Sequence, residues 1–284
     1  MNFRVKRLIV KGDTVGLKRL LSYKPQLASA RIHWGIPPCS AEPLHYLADG
    51  FFNGRWSHAR EGELAEALIH AGAPVNGLPD SDESPLHGAA SLGCLTVAKA
   101  LVTNGANLEQ TARYPGIPDG TPLDFAVHFG MVEVVDLLVR SGAEIISARM
   151  AAGAGLLDQL EELLPKPIDE QLESDALRCA TICNRREIVD FFLDRNFDLN
   201  KEIDGATALH WAAWEAKAEM VEHLLTKGAR TDRKDPKHNL TPLGWARHRM
   251  KERGSGGDHS RVIEILEGWD NRCRESVSEE TMSS

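Results

Sequence analysis

The sequence predicts an all-α solenoid of about eight helix-turn-helix repeats joined by short β-hairpin loops, with one hairpin missing near the middle. Three observations carry this reading. First, a phrase of leucine, a small polar residue or His, and paired alanines recurs, with a small residue seven positions after the leucine. It reads Pro85-Leu86-His87-Gly88-Ala89-Ala90 to Gly93, Pro122-Leu123-Asp124-Phe125-Ala126 to Gly130, and Ala208-Leu209-His210-Trp211-Ala212-Ala213 to Ala216. Second, each copy is followed by an apolar pair and a Gly-Ala turn: Ala100-Leu101 before Asn104-Gly105-Ala106, Leu137-Leu138 before Ser141-Gly142-Ala143, and Leu224-Leu225 before Lys227-Gly228-Ala229. Third, the copies return at a period near 33, the length of one stacked helix pair. Function is then expected on a surface rather than in a buried pocket.

These motifs resemble the ankyrin-repeat signature, T-P-L-H-x-A followed by a second helix and a G-A turn. Taking the small residue between the two helices as an anchor, the register runs through Gly12, Phe51, Gly93, Gly130, Gly155, Asn184, Ala216 and Met250, at spacings of 39, 42, 37, 25, 29, 32 and 34. Long spacings imply inserted loops and short ones a lost hairpin. Asn184 and Asn196 stand in for glycine, since asparagine tolerates the left-handed backbone that ends a helix. The repeats are placed at about 2–31, 41–77, 83–112, 119–146, 147–168, 174–202, 205–235 and 239–270, as one domain, with a disordered tail over 271–284.

In order along the chain, Val5, Leu8 and Ile9 face inward in the first helix, Gly12-Asp13 turns, and Leu17, Leu20 and Leu21 line the second helix. Residues 32–40 read as loop, because Gly35, Pro37 and Pro38 cannot continue a helix. The second repeat opens at Pro43-Leu44-His45 and should turn near Asp49-Gly50, with an aromatic insertion over 51–58 that either tucks back onto the core or meets a partner. Tyr114 to Asp119 lengthens the next finger. The fifth repeat, opening at Ser147, follows Gly142-Ala143 too closely for a hairpin. Asp175 begins the sixth repeat. Thr241-Pro242-Leu243 restores the signature in the eighth, before a glycine-rich break at 254–257 read as linker and a last helix near Val262 to Leu266.

Composition narrows the function. No apolar run reaches the roughly 18 residues that cross a bilayer, so a soluble, cytoplasmic chain without a membrane partner is expected. Five scattered cysteines without C-x-x-C pairing favour a reducing compartment and no zinc site; Cys179 and Cys183, four apart, read as core. Net charge is −8, unevenly spread. Residues 1–31 carry eight Lys/Arg against Asp13 alone, a net +7, and residues 227–253 carry nine against three acids, a net +6. With −4 on residues 254–284, the middle, 32–226, holds −17.

No H-E-x-x-H, G-x-S-x-G, phosphate-loop or dinucleotide motif occurs, so neither enzyme activity nor a cofactor is expected. Paired acids such as Asp232 and Asp235 lie in polar loops and read as solvated. The resemblance implies that His45, His87 and His210 are structural imidazoles bridging neighbouring repeats. It also implies a concave binding surface built from hairpin tips and the last residues of each first helix. Carried over position by position, the partner-binding residues are Leu92, His128, Phe129, Ile182, Trp214, Glu215, His248 and Arg249, with Trp211 and Trp245 beneath. A protein partner is therefore expected for a monomeric interaction module or scaffold. Nucleic acid or an acidic ligand on the basic C-terminal repeats is the alternative.

Overall fold

The computed structural model describes residues 2–35, 39–56, 58–165, 169–253 and 258–282. The chain divides into two compact units, 1–144 and 145–284. The boundary falls where the sequence skips a hairpin.

The first unit holds helices α1 (Phe3–Lys11), α2 (Thr14–Tyr23), α3 (Pro43–Phe52), α4 (Glu61–His70), α5 (Pro85–Ser91), α6 (Leu95–Thr103), α7 (Pro122–His128) and α8 (Val132–Arg140). It also holds two antiparallel hairpins, β1 (Ile32–Trp34) with β2 (Cys39–Ala41) and β3 (Ala112–Tyr114) with β4 (Ile117–Gly120). The β1–β2 pair corrects the reading of 32–40 as loop: Ile32 is buried and pairs with Ala41, and His33 pairs with Ser40 and Trp34 with Cys39. First helices stack on first helices (α3 on α5 on α7) and second helices on second (α2 on α4 on α6 on α8). The axes approach closely because the interfaces are small: Ala89, Ala90, Ala98 and Ala126 are fully buried.

The second unit repeats this scheme with α9 (Ala148–Ala154), α10 (Leu157–Leu163), α11 (Glu170–Ile182), α12 (Arg186–Asp194), α13 (Ala208–Trp214), α14 (Ala218–Thr226), α15 (Pro242–Arg253) and α16 (His259–Met282). Its core runs from Ala151 and Leu160 through Leu177, Phe192, Leu209 and Leu224 to Val262 and Leu266. Among the described residues, no strand lies between Arg140 and Ala148, and the finger at 203–206 is reduced to one bridge. Two boundaries differ from expectation. The sixth repeat starts at Glu170, not Asp175, because the Asp169 carboxylate accepts from Gln171 N and Leu172 N and caps the helix there. The last helix continues to Met282 where a disordered tail was expected; a run without Gly or Pro lets helical hydrogen bonds persist beyond the core. The glycine-rich break at 254–257 lies outside the described residues.

Helix starts follow local chemistry. Pro43, Pro85, Pro122 and Pro242 sit at first helical positions, where a missing N–H costs nothing. Ser84, Thr121 and Ser147 cap α5, α7 and α9 through their hydroxyls. Of the eight anchors, Gly12, Gly93, Gly130, Gly155, Asn184 and Ala216 have φ between 52° and 80°. Phe51 and Met250 do not. Helix α3 runs on through Phe52 and turns at Gly54, and α15 passes through Met250 without a break. Asn196 also takes the left-handed region, at φ 62°.

The 51–58 insertion splits its aromatics. Trp56 stacks on His58 at 5.4 Å, meets Tyr46 at 5.9 Å and donates to Glu61 Oε1 at 2.7 Å. His58 Nε2 then donates to the Ile9 carbonyl at 2.7 Å, tying the insertion to the first repeat. A Cβ on Gly50, inside α3, would overlap the Trp56 ring. Phe51 and Phe52 stay on the surface, 45% and 42% exposed.

The recurrent imidazoles bridge repeats as the family resemblance implied for two of the three. His87 Nδ1 accepts from Ser84 N–H at 3.2 Å while Nε2 donates to the Gly120 carbonyl at 3.1 Å; His210 does the same between Thr207 N–H and the Leu240 carbonyl. His45 instead lays its ring against Gly88. Burial lowers the His87 pKa to about 4, against the opposing pull of the Gly120 hydrogen bond, and burial lowers that of His210 too.

Two predictions follow from this wiring. The unfolded imidazole titrates near 6.5, so stability is full above that pH and drains as pH falls toward about 4. Between pH 7 and 5 the His87 group alone should cost the first unit about 2 kcal/mol, read as a lower urea midpoint, and His87→Gln should flatten the dependence. At the turns, Ala216→Gly should raise stability by roughly 1 kcal/mol by relieving a left-handed alanine. Gly93→Ala should lower it, since the new Cβ would lie 2.7 Å from Met131 Sδ at a φ of 69°; thermal melts of the two variants should move in opposite directions.

Candidate functional site

The residues at the ends of the first helices were expected to form the binding surface, and each unit gathers its own set. In the first, Leu92 follows α5 as its C-cap, His128 ends α7, and Phe129 caps it; all three are half-buried. Tyr114, beside the turn at the tip of the β3–β4 finger and 40% exposed, draws His128 and Phe129 together. Its ring meets His128 edge-on at 6.0 Å and Phe129 at 5.2 Å. The sequence indicated a lengthened hairpin finger over Tyr114 to Asp119 but assigned Tyr114 no role at the site. The available signal was an aromatic directly before Pro115-Gly116, where a tight turn aims it back at the helix end.

In the second unit, Ile182 is 2% exposed and belongs to the core. It therefore drops out of the surface set. Trp214, Glu215 and Arg249 are half-buried and His248 exposed. Trp245 stands between two other tryptophans, edge-on to Trp211 at 5.4 Å and to Trp214 at 5.5 Å. His248 stacks on Trp214 at 6.2 Å, and the Arg249 guanidinium lies over the same indole at 4.5 Å. The Trp211 ring is fixed by donation from its Nε1 to the Ile203 carbonyl at 3.0 Å, with Arg178 over it. Together these rings line an open pocket of about 460 Å³, bordered by Asp204, Lys237, His238 and Leu240.

The residue that organises this pocket is one the sequence left among the solvated acids. Asp235, read as a solvated loop acid, is 3% exposed. Its Oδ1 accepts from Lys237 N and His238 N, at 3.0 and 2.6 Å, and its Oδ2 accepts from Leu240 N at 3.0 Å and Trp245 Nε1 at 2.9 Å. Burial pushes the carboxyl upward, but these four donors outweigh it and hold the pKa down at about 2. A hairpin tip wound around a buried anion thus orients the central tryptophan. Spacing alone could not reveal this, because an acid followed by a polar tip looks the same when it points to water.

Several arginines of the basic C-terminal surface are paired with carboxylates. Arg230 pairs with Asp232 at 2.7 Å, Arg233 with Glu202 at 3.9 Å, Arg247 with Glu267 at 2.6 Å, and Arg261 with Glu219 at 2.8 Å. His58 and Asp49 serve as structural partners of Ile9 and Arg55. Cys94, Cys179 and Cys183 are buried, and burial raises the thiol of Cys94 to about 11 and that of Cys183 to about 12, the unreactive range. Among the described residues, no group of His, Cys, Asp and Glu is arranged to hold a metal ion, and no helix is long and apolar enough to cross a membrane.

Comparison with known proteins agrees with this architecture. The chain is similar to an ankyrin repeat and KH domain-containing protein, mask-1, of Caenorhabditis elegans, 29% identical over 194 residues that cover 65% of this chain and 7% of that protein. It is also similar to the B-cell lymphoma 3 protein homolog of Mus musculus, 27% identical over 215 residues, 74% of this chain and 40% of the relative. The chain thus spans less than half the length of these relatives. Among solved structures, the human ASB11 ankyrin repeat domain matches at 23% identity and a TM-score of 0.36, over 79% of this chain and 97% of that one. The family model for ankyrin repeats, in three copies, matches residues 56–149 and 148–235, more than half of the sequence, and the chain therefore belongs to the ankyrin-repeat family.

Proposed function

We propose that this chain is a protein-interaction module whose principal contact is the tryptophan pocket of the second unit. Ankyrin repeats are in general non-enzymatic modules that bind other proteins, and one observation carries the narrower reading. Trp211, Trp214 and Trp245 meet around an open pocket and are braced by Asp235, His248 and Arg249 before any partner arrives. Rigid aromatic rings at a concave site concentrate binding energy, since they bury much area while losing little rotamer freedom. His248 supplies a polar group at the rim, and Glu215 stands next to Trp214 at the end of α13. Leu92, His128 and Phe129, with Tyr114, form a second contact patch on the first unit. The partner is a protein that inserts an apolar or aromatic side chain between the tryptophans. Binding of nucleic acid or an acidic ligand at the basic C-terminal end has less support, because Arg230, Arg233 and Arg247 already hold carboxylates.

Affinity capture with the wild type and with Trp214→Ala, followed by titration of each recovered partner, tests the assignment. Affinity should fall at least tenfold for Trp214→Ala and by a smaller factor for Phe129→Ala, with unchanged helical circular dichroism. A partner that tolerates both changes would refute the assignment. Asp235→Asn should destabilise the second unit by about 2 kcal/mol, because two of the four donors lose an acceptor in a buried loop. The same change should weaken partner binding and alter the near-ultraviolet signal of the tryptophans; a variant with native stability and native signal would show that the carboxylate does not set the pocket.

A further inference from the structure

The two basic ends of this chain are not equivalent. At the C-terminal end, arginines are locked to carboxylates. In the first repeat, Arg4, Arg7, Lys11, Lys18, Arg19 and Lys24 are all exposed, and among the described residues none of them forms an ion pair. The one acid among residues 1–31, Asp13, accepts from Gly16 N at the start of α2. Apolar side chains stand among these cations: Phe3 is 65% exposed, and Val15 and Tyr23 are each 78% exposed. Helical periodicity explains the arrangement. Val5 and Ile9 of α1, and Leu17 and Leu21 of α2, are spent on the core. That leaves Phe3, Arg7 and Val10 on the solvent stripe of α1 and Val15, Lys18 and Arg19 on that of α2.

We propose that this face of the first repeat rests on the surface of an anionic lipid bilayer. Two features favour a bilayer over an acidic protein. The cations are spread along both helices instead of focused in a cleft, which suits a diffuse sheet of negative headgroups. The exposed Phe3, Val15 and Tyr23 stand singly, where the interfacial zone of a bilayer accepts apolar and aromatic groups without a shaped socket. Lying on a membrane requires no spanning segment, so the missing apolar run that led the sequence to imply no membrane partner does not bear on this contact. The inference is independent of the tryptophan pocket.

Co-sedimentation of the full chain with vesicles tests it. Phosphatidylcholine vesicles containing phosphatidylserine should retain the chain, pure phosphatidylcholine vesicles should not, and retention should fall as salt is raised. Each Lys or Arg near such a surface contributes about a fivefold factor, so reversing three of them in Arg7→Glu/Lys18→Glu/Arg19→Glu should lower partitioning by at least about a hundredfold. These side chains are exposed, and an unchanged melting curve would confirm that the variant folds. Val15→Ser/Tyr23→Ser should also weaken retention, at constant charge. Equal partitioning of wild type and charge-reversed chains, or binding to soluble polyglutamate with no retention on the anionic vesicles, would overturn the proposal; Trp214→Ala should leave vesicle binding intact.

Discussion

Within each unit, a helix pair has an apolar flank that a neighbouring pair covers. That constraint governs the residues chosen at the interfaces. Ala89, Ala90 and Ala126 are buried because backbones must come close for thin layers to exclude water, and polar groups trapped by that closeness need partners on the neighbouring layer. His87 meets the need by spanning from Ser84 to Gly120, and His210 by spanning from Thr207 to Leu240. Each imidazole is held neutral, since burying a charge between layers would cost more than its hydrogen bonds return. The fingers inherit their positions from these bridges, because the accepting carbonyls lie at finger bases.

The tryptophan pocket shows how a surface is derived from that frame. Leu240, whose carbonyl anchors His210, also donates its N–H to Asp235. The same few residues therefore fix a layer contact on one side and orient Trp245 on the other. Preorganisation of this kind reduces what a partner must order on binding. Charge is handled separately: carboxylates within and beside the last repeats pair with several of their arginines, whereas the first repeat leaves most of its cations to solvent.

Much of the fold was legible in the sequence because repeat turns demand unusual backbone. Gly93, Gly130 and Gly155 mark left-handed positions, and so do Asn184, Asn196 and Ala216, where spacing identified the turn despite a side chain. Legibility failed where a helix outran its register. Phe51 occupied the counted position, yet apolar continuity carried α3 on to Gly54; in α15 nothing at Met250 stopped the helix. The site was legible in part for the same reason. Trp214 and Phe129 follow from counting back from a turn, His248 came from a register position at Met250 where the helix does not turn, and Ile182 fails because it is buried. Asp235 and Tyr114 were invisible to counting, since their roles depend on which way a finger folds back.

Gly50 carries a lesson for anyone wishing to harden this scaffold. Replacing a mid-helix glycine with alanine is among the commonest routes to a sturdier helix, and a consensus-guided designer would choose this position early. Here the vacant space above the glycine is a seat for the Trp56 indole. One added methyl would unseat the ring, strip Glu61 of its donor and loosen the clasp of His58 on Ile9. The residue with least intrinsic preference for its helix is thus the keystone of the aromatic insert.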